Sequence, residues 1–155
     1  MKKRKIAIFT GNRAEYGLQL PILNAIKNHP LLEYKLIVSG AHLEKNFGET
    51  ISEIKNDGFI ISEEVNINFK DDTLFGTTQA ISSCINLISR VLNKIKPDLF
   101  VVYADRFEGF GALIAGSQLR IPTAHIEGGD VVLDEDHIFI GYYGQKDYKN
   151  QITAR

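Results

Sequence analysis

Residues 96–108 read KPDLFVVYADRFE, and the fold follows from how this stretch divides. Leu99 to Tyr103 is a short, unbroken apolar run, as expected of a strand covered on both faces. Pro97-Asp98 ends whatever precedes it, and Asp105 stands where the strand gives way to the next helix. Upstream, Thr73 to Lys96 carries Ile81, Cys84, Ile85, Ile88, Val91, Leu92 and Ile95 at three- and four-residue steps, the apolar stripe of an amphipathic helix. That stripe is read as packing on a sheet; left uncovered, it would instead mark an interface. Downstream, Phe107 to Leu119 reads as a helix whose Gly109, Gly111, Ala112, Ala115 and Gly116 permit close packing. Ile121 to Ile126 follows as a strand, with Pro122 at its start, where a missing N–H is tolerated.

The same alternation runs through the first half. Lys5 to Thr10 (KIAIFT) is a buried-type strand, Gly11-Asn12-Arg13 a loop, and Tyr16 to Lys27 a helix with Leu20, Leu23 and Ile26 on one face and Pro21 near its first turn. Tyr34 to Val38 is the second strand, and Ser39 to Gly48 a polar loop. Thr50 with Glu53 forms the pattern of a capping box, and Phe59 to Val65 reads as a third strand. Alternating strands and helices predict an α/β fold with a doubly wound parallel sheet. Ligands in such sheets sit beyond the carboxyl ends of the strands.

With 155 residues, 44% hydrophobic and 24% charged, the chain suits one domain. A net charge of -1 supplies no field to gather nucleic acid or an anionic membrane, so neither is an expected partner. The single cysteine, Cys84, excludes an internal disulfide and fits a cytoplasmic protein. His29, His42, His125 and His137 lack the spacing of a zinc site, so no metal is expected. The apolar run after MKKRK is too short for a signal segment or a membrane span.

The strand ends hold the candidate residues. Gly11 to Gly17 is neither GxGxxG nor a P-loop, but it offers backbone N–H groups at a helix N-terminus with Arg13 beside them. Arg13 is read either as an anion ligand or as a solvated loop residue. After the second strand, His42 is either a ligand contact or a residue that fixes its loop by hydrogen bonds. Asp105 is either an acid/base group or a helix cap, with Arg106 paired to Glu108 or a neighbour. Glu127 closes the last strand before Gly128-Gly129, and successive strands of a parallel sheet are often neighbours. Asp105 and Glu127 would then share a crevice, where two carboxylates can hold different protonation states.

Four segments in order, TGNRAEYG (10–17), SGAHLEKNFGET (39–50), KPDLFVVYADRFE (96–108) and IPTAHIEGGD (121–130), resemble the hydrolysing UDP-N-acetylglucosamine 2-epimerases. The similarity is to the branch that serves sialic or legionaminic acid synthesis. It implies a Rossmann-like domain over residues 1–130, one half of an enzyme of glycosyltransferase-B architecture, with the active site between two domains. It also implies elimination of UDP from C1 of a UDP-sugar followed by hydration to the 2-epimer, without a cofactor. Carried over by position, Asp105, Glu127 and Asp134 become the acid/base residues, and Arg13, Glu15, His42 and Arg106 contact or support the substrate.

The pattern departs from the family after Gly129. The loop Asp130 to Ile138 is shortened and lacks an Arg-His pair, with His137 as a remnant. Phe139 to Arg155 show no resemblance, so 131–155 are read as a divergent tail. These residues contain no second domain, and the expectation is little or no turnover alone. The chain is then a piece of the enzyme, a half that needs a partner chain supplying the second domain, or a non-catalytic domain binding a nucleotide sugar or a protein; a homo-oligomer is the other expected partnership.

Overall fold

The computed structural model describes residues 2–44, 48, 50–67, 73–103 and 106–128. Along them run β1 Arg4–Thr10, α1 Arg13–Lys27, β2 Leu32–Ser39, a 3-10 turn at Gly40–Leu43, α2 Ile51–Asn56, β3 Ile61–Val65, α3 Leu74–Ile95, β4 Leu99–Tyr103, α4 Phe107–Gln118 and β5 Thr123–Ile126. The strands form one sheet in the order β3-β2-β1-β4-β5, and every pairing is parallel. The chain winds outward from β1 to β3, returns through α3 to β4 beside β1, and winds outward again to β5. The doubly wound, Rossmann-like sheet expected from the alternation is therefore present, and its switch point lies between β1 and β4. The proposed tail, 131–155, lies outside the described residues. Among those described, no helix is long and apolar enough to cross a membrane.

Period-two alternation builds two cores. On one face Ala7, Phe9, Ile37, Phe100 and Val102 pack against Ala80, Cys84, Ile88, Leu92 and Ile95 of α3 and against Phe107, Ala112 and Ala115 of α4. On the other, Ile6, Ile8, Leu36, Val38 and Val101 pack against Tyr16, Leu23 and Ile26 of α1 and Ile54 of α2. The apolar stripe of α3 thus covers the sheet. The helix closes at Lys96, whose left-handed φ of 51° turns the chain before Pro97.

Two boundaries differ from the sequence reading, for local reasons. The side chain of Asn12 accepts the Glu15 N–H at 3.0 Å, so α1 begins at Arg13 rather than Tyr16. Pro21 consequently stands inside the helix, not in its first turn. Thr50 makes no side-chain cap, and the capping box with Glu53 does not form, because the Thr50 hydroxyl is engaged by His42 at 2.7 Å.

Close contact between α3 and α4 sets where α4 starts, and hence where its first turn meets the strand ends. The Cys84 thiol donates to the Glu108 carbonyl at 3.1 Å. Burial, reinforced by nearby Glu108, pushes that thiol up to about 12, so it is an inert packing group. A Cβ on Gly111 would lie 2.9 Å from Cys84 Cβ and 3.2 Å from the Ile81 carbonyl oxygen. Gly111→Ala is expected to destabilise the fold by about 1–3 kcal/mol through forced separation of the helices. Urea unfolding measures it, and wild-type stability in the variant would show that this contact does not set the spacing.

Candidate functional site

A shallow cleft of about 300 Å³, including solvent at its mouth, opens at the carboxyl ends of the strands. Gly40, Ala41 and Glu44 line it after β2, Asn66 and Ile67 after β3, and Arg106 and Glu108 from the start of α4. This is the position that a doubly wound sheet reserves for ligands.

The β1–α1 loop lies behind the cleft wall, where Gly11 approaches Gly40 and Glu108. The Gly11 N–H donates to the Glu15 carboxylate at 2.7 Å, and Glu15 is only 1% exposed. Glu15 therefore turns inward and ties down its own loop, occupying one of the backbone donors that sequence reading offered to an anion. Arg13 lies outside the cleft lining. Its side chain is 73% exposed and pairs with Glu53 of α2 at 2.9 Å, an exposed contact worth little in energy.

His42 is fully buried. Nε2 lies 3.0 Å from the Thr10 hydroxyl and Nδ1 lies 2.7 Å from the Thr50 hydroxyl. These bonds tie the end of β1 to the start of α2, the loop-fixing position that was one of the two readings of this residue. Burial takes the imidazole down to about 4, against weaker upward pulls from the Asn12 backbone and Glu53. Tyr16 of α1 holds the other end of α2. Its hydroxyl donates to Asp57 at 2.7 Å, and burial together with that carboxylate raises its pKa.

At the opposite side, β4 and β5 are neighbours, with Tyr103 paired to Ile126. Glu127 follows directly in a left-handed conformation with φ 57°, an uncommon backbone state for a residue with a side chain. Its carboxylate accepts a hydrogen bond from the Tyr103 hydroxyl at the end of the neighbouring strand. Asp105 and Asp134 lie outside the described residues. Arg106 donates from Nε to Glu108 at 3.2 Å and its guanidinium lies 5.6 Å from the centre of the Phe107 ring. The Arg106–Glu108 pairing allowed by the sequence is thus formed.

The structure adds two residues that sequence reasoning left without a role at the strand ends, Tyr103 beside the cleft lining and Glu108 within it. Tyr103 holds Glu127, a contact visible only once β4 and β5 are paired in register. Glu108 is 2% exposed, yet it forms part of the cleft wall. A charged residue on the small-residue face of an otherwise apolar helix was the available signal.

Comparison with known proteins agrees with this geometry. The family model described as UDP-N-acetylglucosamine 2-epimerase matches residues 24–138. The chain is 32% identical over 151 residues to the polysialic acid biosynthesis protein P7 of Escherichia coli, a match covering 97% of this chain and 39% of that protein. It is 32% identical over 133 residues to the GDP/UDP-N,N'-diacetylbacillosamine 2-epimerase (hydrolyzing) of Campylobacter jejuni, covering 86% of this chain and 34% of that one. The fold superimposes with a TM-score of 0.66 and 25% identity on the UDP-GlcNAc 2-epimerase of Methanocaldococcus jannaschii in complex with UDP-GlcNAc and UDP, over 81% of this chain and 33% of that chain. The chain thus spans about a third to two fifths of the length of the curated relatives it matches. The P7 match also extends into 139–155, where the sequence read alone shows no resemblance. With the strand order in place and residues 24–138 inside the family's own pattern, the chain belongs to the UDP-N-acetylglucosamine 2-epimerase family.

Proposed function

We propose that this chain forms the N-terminal, sugar-facing half of a hydrolysing 2-epimerase. Its substrate is UDP-N-acetylglucosamine or a related UDP-sugar, on the branch that supplies sialic- or legionaminic-type acids. The observation that carries the reading is Glu127, held in a left-handed turn at the end of β5 with its carboxylate on the Tyr103 hydroxyl of neighbouring β4. Such a backbone state persists where the surroundings hold it, and here it sets a carboxylate against the neighbouring strand end.

In the proposed reaction a carboxylate takes the C2 proton while the C1–O bond breaks, its electron pair leaving with UDP. The resulting glycal then takes up water, with hydroxyl at C1 and a proton returned to C2 on the opposite face. Asp105, Glu127 and Asp134 divide the proton transfers, since carboxylates in unequal surroundings can hold unequal protonation states. Arg106 supplies positive charge from the cleft wall to the leaving diphosphate, and Arg13 does so on release from Glu53. Glu15 and His42 hold the Gly11 and Gly40 loops beneath the substrate.

The test is calorimetric titration of the 155-residue chain with UDP and UDP-N-acetylglucosamine. Binding is expected, weakened about tenfold by Arg13→Ala as one charge-assisted contact is lost. Absence of binding heat in the wild type would overturn the reading. Little or no UDP release is expected from residues 1–155 alone, because the shallow cleft they form is open to solvent and neither excludes water nor encloses the leaving group. Sustained release abolished by Asp105→Asn would show that these residues suffice.

A further inference from the structure

We propose that Glu108 is a positioning residue, which aims the Arg106 guanidinium into the cleft and locks the first two strand-end loops around it; this rests on reading the cleft as the nucleotide-sugar site. Glu108 sits in the first turn of α4, almost wholly buried, with a charged group in the cleft wall. A carboxylate so placed is expensive unless a cation and hydrogen bonds hold it. Arg106 Nε is such a partner, at 3.2 Å, with the Glu108 side chain 3% exposed and the Arg106 side chain 45% exposed.

The geometry gives the pair a direction. Arg106 lines the cleft and engages Glu108 through Nε, so that this bond leaves its Nη donors for a ligand. An arginine anchored by one edge presents a pre-oriented fork, whereas an unanchored one must lose rotamer freedom on binding. The second carboxylate oxygen faces Gly40, where a Cβ would stand 3.2 Å from Oε1, and the Glu108 Cβ would be 3.6 Å from one built on Gly11. One side chain thus stands beside the loop after β1 and the loop after β2 and pairs with the cation at the start of α4. Arg106 alone, or a glutamate that was only filling space, would not join all three.

The test is a double-mutant cycle on the full chain with UDP as probe, using Glu108→Gln, Arg106→Lys and the pair. Glu108→Gln keeps shape but removes the charge that fixes the guanidinium. It is expected to lower UDP affinity about tenfold while the melting temperature stays near wild type. In the Arg106→Lys background, where no Nε fork remains, the same change is expected to have less than about a twofold effect. An equal loss in both backgrounds, or no loss in either, would overturn the proposal. The Arg106 Nε–H resonance supplies a readout independent of nucleotide binding. It is expected to exchange slowly in the wild type and to lose that protection in Glu108→Gln. If the wild type gives no heat with UDP, the nucleotide reading falls alone, while an unchanged Nε–H resonance would sink the positioning role. Should Glu108→Gln fail to fold, Arg106→Lys decides: the same tenfold loss is expected although the charge is retained, and full affinity would overturn the proposal.

Discussion

Gly40→Ala is expected to lower the unfolding free energy by about 2–5 kcal/mol, from a left-handed backbone penalty of about 1–2 and an overpacking penalty of about 1–3. The first contribution arises because Gly40 has φ 56°. The second is a collision that the chain cannot relieve by moving one flexible tip. A Cβ at this position would stand 2.6 Å from the Gly11 carbonyl oxygen, which is backbone, and 3.2 Å from Glu108 Oε1. Relief requires the β1 and β2 loops to part, and that parting opens the floor of the cleft. Gly48 supplies the control. It has φ 85°, and among the described residues nothing lies within 4 Å of a Cβ built there, so Gly48→Ala carries the backbone penalty alone. A melting-temperature drop on the order of 10 °C is expected for Gly40→Ala, clearly larger than that for Gly48→Ala. UDP affinity is expected to fall only in the first. Equal melting temperatures in the two variants would show that the Gly11–Gly40 contact does not set the loop geometry.

That contact explains how far the site could be read in the sequence. Strands were legible because burial on both faces leaves short apolar runs such as LFVVY and IAIFT, and α3 was legible because its stripe recurs over several turns. The start of α1 was missed because one side chain, that of Asn12, decides it against the apolar periodicity. The adjacency of β4 and β5, and so of Glu127 and the end of β4, followed correctly from the rule that successive parallel strands tend to be neighbours. Side-chain fates at the strand ends were not legible. Glu15 and Arg13 stand two residues apart in one motif, yet one is buried on a backbone N–H and the other is exposed on Glu53. Glu108 looks like an ordinary first-turn acid until Gly11, Gly40 and Arg106 are brought to it by three different strands. Such placements depend on individual side-chain contacts, several of them between residues tens of positions apart, which periodicity cannot report.

His42 makes the same point as a pH dependence. Its imidazole is taken from the ordinary 6.5 to about 4 by burial, so between those values the unfolded chain binds a proton that the folded chain does not. Stability then rises with pH across that window: the contribution is whole above about 6.5 and is lost as pH falls toward 4. At 1.36 kcal/mol per pH unit the loss amounts to about 3 kcal/mol. The hydrogen bonds account for the neutral ring. The Thr10 hydroxyl reaches the Asn12 carbonyl at 3.3 Å, and donating there it accepts from Nε2–H, so Nδ1 is left to accept from the Thr50 hydroxyl. A second proton on Nδ1 would require Thr50 to turn about and would leave a charge in an enclosed site, and desolvation opposes it most strongly. His42→Gln removes the titrating group. Urea unfolding from pH 4 to 7.5 is expected to show the wild type well above the variant at neutral pH, with the gap closing by about 3 kcal/mol as pH falls. Comparing the two proteins cancels the carboxylates, which titrate in both. Because His42 ties β1 to the start of α2, the nucleotide affinity of the wild type is expected to decline over the same interval. Parallel stability curves for wild type and variant would mean that His42 titrates alike in the folded and unfolded chains, and the buried tie between Thr10 and Thr50 would have to be abandoned.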